Sequence, residues 1–124
     1  MRFMLIRKAD AETETGALPS AELLAAMARY NQELVDAGVL LQAEGLQASA
    51  NGVLVAFTDG VPRVIDGPFA ETKELIAGFT MIEAESLAEA IAWVQRWPKI
   101  DGDGDAQIEI RPLYEPEDFS AAEE

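Results

Sequence analysis

Cysteine and histidine are both absent from this chain. The first absence excludes disulfides, thiolate metal sites and cysteine nucleophiles, and it fits a reducing compartment. The second removes imidazole bases, imidazole metal ligands and every Ser–His–Asp arrangement. Positive charge is scarce too: nine Lys and Arg stand against 23 Asp and Glu, for a net charge of −14. A polyanion is repelled on average, and no basic stripe reverses that, so neither nucleic acid nor an anionic membrane surface is expected as a partner. Acidity of this kind reads first as solubility. Long apolar runs are missing as well. The opening MRFMLIRKAD holds four apolar residues in a row after Arg2, too few for a signal peptide core or a membrane span, and a cytoplasmic protein is expected. With no phosphate-binding glycine loop and no imidazole or thiolate set, no cofactor and no metal are expected.

What is present reads as one domain, the natural content of 124 residues. Phe3-Met4-Leu5-Ile6, bounded by Arg2 and Arg7, predicts a strand buried on both faces. A polar connection over 8–19 follows. Ser20 is placed to cap a helix, Glu22 suits its first turn, and Leu23, Met27, Tyr30 and Leu34 recur on one helical face. Gly38 ends that helix in a left-handed conformation. Val39-Leu40-Leu41 opens a second strand towards Gly45-Leu46, and Val53 to Phe57 forms a third. Asp59-Gly60 favours a two-residue hairpin turn, and Pro62 in the returning arm suggests a sheet edge. Residues 66–74 form an irregular connection. Leu75 to Ile82 is the next strand, with Gly78 marking a bulge or a close backbone approach. Ser86-Leu87-Ala88-Glu89 has the spacing of a capping box. Leu87, Ile91 and Val94 are expected to line one face of that second helix, continued by Trp97 before Pro98 stops it. A DGDGD loop leads to a last strand over 106–111. The acidic tail, 114–124, is expected to fray.

The order is β-α-β, a hairpin, then β-α-β, which predicts an α+β fold with a ferredoxin-like layer. Two helices cover one face of such a sheet. Yet Met4 and Ile6 oppose Phe3 and Leu5, and Leu54 opposes Val53, Val55 and Phe57, so apolar side chains occupy both faces. An open second face leaves a patch of roughly several hundred Å², more than soluble monomers usually expose. The simplest cover is the same face of another copy, so a homodimer is expected.

The stretch Asp66-Gly67-Pro68-Phe69-Ala70-Glu71-Thr72-Lys73-Glu74, DGPFAETKE, resembles the signature of the DGPF branch of the YCII-related family. The MRFMLIR opening, the helix ending at Gly38, the Glu44-Gly45-Leu46 step and Gly78-Phe79 after the signature agree with it, over about residues 1–113. The resemblance implies a dimeric α/β-barrel of two ferredoxin-like subunits, with a pocket at the sheet and the motif loop. It also implies a possible link to sigma factors of the extracytoplasmic-function type, beside whose genes some members lie. Elsewhere in the family a His–Asp pair is proposed as catalytic, and one relative removes chloride from a hydroxylated aromatic ring. Without histidine, this chain must act differently.

Within the motif, Asp66 and Lys73 form the candidate acid–base pair, since a carboxylate beside an ammonium in a half-dry pocket tunes both pKa values. Lys73 is equally suited to hold a substrate oxygen by charge. Phe69 supplies an apolar wall, and Glu71 and Glu74 are further ligand-binding candidates. The structural alternative is as physical: Asp66 caps turn amides, Lys73 pairs with Glu71 or Glu74, and Phe69 anchors the loop. Glu44 lies in an apolar strand, with Arg7 and Arg63 as available partners, or is simply an exposed strand-end glutamate. Asp101, Asp103 and Asp105 imitate an EF-hand start, but Ala106 and Pro112 stand where its glycine and glutamate belong, so a solvated turn is expected. Ser20, Ser49, Ser86 and Ser120 lack an adjacent base, and two of them read as helix caps. Trp93 and Trp97 read as helix packing, with no basic groove beside them. Three functions stay open: a dimeric small-molecule-binding protein, extending to metal-independent lyase or isomerase chemistry with carboxylate and lysine; a regulatory or interaction module associated with a sigma factor; and a structural dimer domain.

Overall fold

The computed structural model describes residues 1–123. Strand β1 (Arg2–Lys8) leads through the short helix α1 (Ala11–Glu14) to helix α2 (Ala21–Asp36) and strand β2 (Leu40–Gly45). The hairpin strands β3 (Val53–Thr58) and β4 (Val61–Asp66) come next. They are followed by β5 (Ile76–Glu83), helix α3 (Leu87–Val94), β6 (Ile108–Pro112) and helix α4 (Pro116–Glu123). Four strands form one antiparallel sheet in the order β2-β5-β1-β6, the arrangement of a ferredoxin-like layer. The β3–β4 hairpin is inserted between β2 and β5 and makes a separate two-stranded sheet. The fold is α+β. No helix among the described residues is long and apolar enough to cross a membrane.

The core lies on the helix-covered face. Phe3, Leu5 and Ile82 point from the sheet into Tyr30 and Leu34 of α2 and Ala90 of α3, all buried. Ser20 caps α2 by accepting from the Leu23 amide at 3.0 Å, and Gly38 leaves the helix at φ 73°. Helix α3 is rotated from its expected phase. Leu87 and Ile91 face outward, while Ala90, Trp93, Val94 and Trp97 form the buried stripe. The small Ala90 lets the two-turn helix sit close to the sheet, which a leucine at that point would prevent. Tyr30 stacks on Trp97 at 5.3 Å and donates its hydroxyl to the Trp93 carbonyl at 2.7 Å. Burial pushes the Tyr30 phenol up to about 12.

Two segments are more ordered than expected. The polar connection contains α1, whose N-cap Asp10 forms a capping box with Thr13. The acidic tail does not fray at its start, because α4 is built there. Its Pro116 occupies the first helical position, and Glu117 and Asp118 favour the helix dipole. The Glu115 amide donates to Asp118 at 2.7 Å, Arg2 Nε donates to Glu115 at 3.0 Å, and Tyr114 packs on Phe119 at 5.1 Å.

The other sheet face carries no helix. Its rows run Gln42–Met81–Met4–Arg111 and Glu44–Phe79–Ile6–Glu109. Apolar side chains hold the two central strands and polar or charged ones hold the edges. This face is therefore neither a uniform apolar sheet nor a charged, water-facing one. β1 alternates accordingly: Phe3 and Leu5 are fully buried and Arg7 is buried, while Met4 and Ile6 are only partly so. The hairpin turn is made as its sequence requires, with Asp59 at φ 51° and Gly60 at φ 80°.

Candidate functional site

The motif loop begins where β4 ends and runs through a 3₁₀ turn, Thr72–Glu74, into β5. Facing it, the chain leaving β2 makes a second 3₁₀ turn, Ser49–Asn51, and Gly52 leads from it into β3. The two loops touch backbone to backbone. The Gly67 amide donates to the Gly52 carbonyl at 3.0 Å, and a Cβ on Gly67 would fall 1.7 Å from the Ser49 oxygen. Only glycine permits that approach. The Ser49 turn is held from behind by α1: Glu14 accepts from the Ser49 amide at 2.9 Å and from the Ser49 hydroxyl. A further glycine contact fixes the strand side, since a Cβ on Gly78 would sit 2.8 Å from the Glu44 oxygen.

Between these loops lies an open cavity of about 480 Å³. Leu46, Ala48, Phe69, Leu75 and Ile76 give it an apolar lining, and Glu74 places one carboxylate there. Asn51 and Gln47 also border it and are bonded to each other at 3.1 Å. Its walls are mostly apolar, with few polar groups.

Phe69 and Glu74 are thus brought together at the cavity. Asp66 is exposed at the end of β4, opposite Val53, and does not line the cavity. Glu71 is exposed ahead of the 3₁₀ turn, its carbonyl accepting from the Glu74 amide at 2.8 Å. The Lys73 backbone lies in that turn, while its side chain is outside the described residues. Glu44 is exposed on the helix-free sheet face beside Phe79. It cannot pair with Arg7, which points to the opposite face.

Arg7 is instead the centre of a buried network. Its Nε donates to Asp101 Oδ2 at 3.0 Å and its Nη2 to Asp101 Oδ1 at 2.8 Å, a two-pronged contact. Nη2 also reaches Asp10 at 3.1 Å, and Trp97 Nε1 donates to Asp101 at 2.9 Å. Burial pushes the Asp101 carboxyl up, but the hydrogen bonds from Arg7 and Trp97 outweigh it and hold Asp101 below the ordinary carboxylate range. The same hydrogen bond raises Arg7, against the opposing effect of burial. Asp101 is consequently not part of a solvated turn: at 7% exposed, it is a core residue. The cause is an arginine on the buried face of β1, which needs a partner there. A second cavity, about 540 Å³, borders Arg7, Asp10 and Asp101, whose charges are already paired with one another.

Ser49 also departs from expectation, since it does have a carboxylate neighbour. Glu14 accepts from both the amide and the hydroxyl of Ser49, so the contact holds the turn in place. No spacing in the sequence points to this pair, which is 35 residues apart.

The chain is 32% identical over 92 residues to an uncharacterized protein of Rhizobium meliloti (strain 1021), covering 73% of each. Among solved structures it resembles 5-chloro-2-hydroxyhydroquinone dehydrochlorinase of Burkholderia phenoliruptrix AC1100, in complex with 2,5-dihydroxybenzoquinone. The TM-score is 0.54 at 16% identity, over 95% of this chain and 98% of that one, a likeness of fold. The profile of the YCII-related domain matches residues 1–114, and with the ferredoxin-like sheet and the loop-walled cavity in place, this chain belongs to the YCII-related family.

Proposed function

We propose that this protein binds a small, largely apolar molecule in the motif-loop cavity and works as a cytoplasmic homodimer of the DGPF branch. The observation that carries this reading is the cavity itself, about 480 Å³, within the size of small-molecule sites at roughly 300–1,000 Å³. Phe69 offers its ring to a planar ligand, and Glu74 accepts a hydrogen bond from a ligand hydroxyl. Dimerisation is supported by the half-buried Met4, Ile6, Phe79 and Met81 on the face that no helix covers.

Chemistry, in this reading, is metal-independent and of the lyase or isomerase kind. We assign the proton-transfer roles to Asp66 and Lys73 of the motif loop, which requires the ligand to reach beyond the cavity lining to Asp66 at the end of β4, the carboxylate taking a proton while the ammonium stabilises the oxyanion that develops. The fold neighbour is a dehydrochlorinase seen with a dihydroxybenzoquinone, which makes hydroxylated six-membered rings the first ligands to test.

The test is thermal-shift and calorimetric titration with 2,5-dihydroxybenzoquinone, hydroquinone and small carboxylic acids. A true ligand raises the melting temperature by mass action. Phe69→Ala and Glu74→Gln should each weaken its binding by about tenfold, about 1.4 kcal/mol, with the fold intact. Binding unchanged in both variants removes the cavity assignment. Unchanged turnover in Asp66→Asn and Lys73→Ala removes the acid–base roles alone.

A further inference from the structure

The β3–β4 hairpin is the least explained part of the molecule. Its register places Val53, Val55 and Phe57 on one face with Val64 and Pro62. Asp66, opposite Val53, puts a carboxylate at the base of that face and Asp59 one in the turn; the stretch between is apolar and open to water, with Phe57 68% exposed, Val64 64%, Val53 57% and Val55 47%. The hairpin pairs within itself and is not part of the main sheet.

The base of this arm is the wall of the motif cavity. β3 starts directly after Gly52, and β4 ends directly before Gly67, the two residues whose backbones meet there. At about 3.3 Å per residue, Phe57 stands roughly 16 Å from Gly52. The tight Asp59-Gly60 turn keeps the arm extended, so its tip cannot fold back over its own cavity.

We propose that the arm lies on a second copy of this chain and closes that copy's motif cavity, with Phe57 over the rim formed by Leu46 and Ile76. This rests on the reading of the cavity as a ligand site and adds the residue that completes it. Each chain offers one arm and one cavity, so a two-fold axis uses both surfaces of both copies. Phe57, Val64 and Val53 are each more than half exposed, and burying them together with the rim works towards the ~800 Å² per partner of a stable interface. At a net charge of −14 two copies repel on average, so a contact between them needs a stretch poor in carboxylates, and Val55, Phe57, Pro62 and Val64 carry none between Asp66 at the base and Asp59 in the turn. Leu46 and Ile76 are themselves exposed, at the mouth that the single chain leaves open.

The absence of cysteine makes the test direct. Phe57→Cys and Ile76→Cys are purified separately, mixed, and treated with a short bismaleimide, with Leu46→Cys as a second rim position. The expected product is a crosslinked pair joining 57 of one chain to 76 or 46 of the other, formed only in the mixed sample. A dimeric mass by light scattering with no such product, or with 57 joined only to 57, overturns the arm placement while the paired assembly stands. A 13.4 kDa particle overturns both. Capture of the arm by another protein, with this chain itself monomeric, overturns the proposal in the same way. Ligand binding to a dimer in which 57 and 76 never meet leaves the cavity reading intact and removes only this extension.

Discussion

Two neighbouring regions at one end of the sheet solve opposite problems: Arg7 pairs with Gly78 across β1 and β5, and Ile76 at the start of β5 lines the motif cavity. Around Arg7, which is 8% exposed, stand two carboxylates and a main-chain carbonyl, and Trp97 completes the set. Nothing there is left wanting a partner. At the motif loop, the apolar groups of the cavity and the arm face water, and the loops are held by glycine approach and one carboxylate. A closed, fully satisfied network is what stability requires, and an open apolar mouth is what binding requires. The molecule separates the two tasks in space, with α1 running between them: Asp10 starts it under Arg7, and Glu14 ends it under Ser49.

The contrast is broken most strongly by Asp101→Ala. It leaves Arg7 buried with one carboxylate partner instead of two, and should cost about 3–5 kcal/mol. Denaturant unfolding followed by Trp97 emission measures it, and a loss under about 1 kcal/mol would mean that the pair is solvated. Next is Gly67→Ala, whose methyl meets the Ser49 oxygen. Forcing the loops apart should cost about 1–3 kcal/mol, read by urea titration, with faster amide exchange over 46–52 but not in β1. Smaller still, Glu14→Ala should cost about 1 kcal/mol and loosen the same turn without disturbing the Arg7 network, read from the Ser49 amide exchange rate. If both regions loosen together, the separation fails.

The smallest effect is a pH dependence. Asp101 and Asp10 titrate below their ordinary value near 3.8 in the folded chain. Their contribution is therefore complete above about pH 5 and is lost as pH falls through the folded values. Asp101→Asn should flatten the stability profile below pH 4, measured by melting temperature across buffers, relative to wild type.

Much of this was legible in the residues. Alternating strands, the caps at Ser20 and Ser86, the αL exit at Gly38 and the Asp59-Gly60 turn are local features, and local chemistry produces them. The motif placed the cavity wall, since Phe69 and Glu74 both reach it. What could not be read depends on contacts between distant segments. The Glu14–Ser49 contact and the burial of Asp101 arise only once α1 and the turn at 101–104 are folded against β1. The phase of α3 misled for a related reason: Leu87 and Ile91 are the more apolar choices, but the sheet has room for Ala90. Asp66 shows the limit of motif reading: it stands exposed at the end of β4, because spacing along a loop does not say which side chain turns inward.

The account stands on the open motif region being completed by a second copy. Sedimentation equilibrium at micromolar concentration, on the wild-type chain and on Phe57→Ser, addresses it most directly. We expect wild type at twice 13.4 kDa, with the variant shifted towards the single-chain mass. A wild-type particle of 13.4 kDa would contradict the claim.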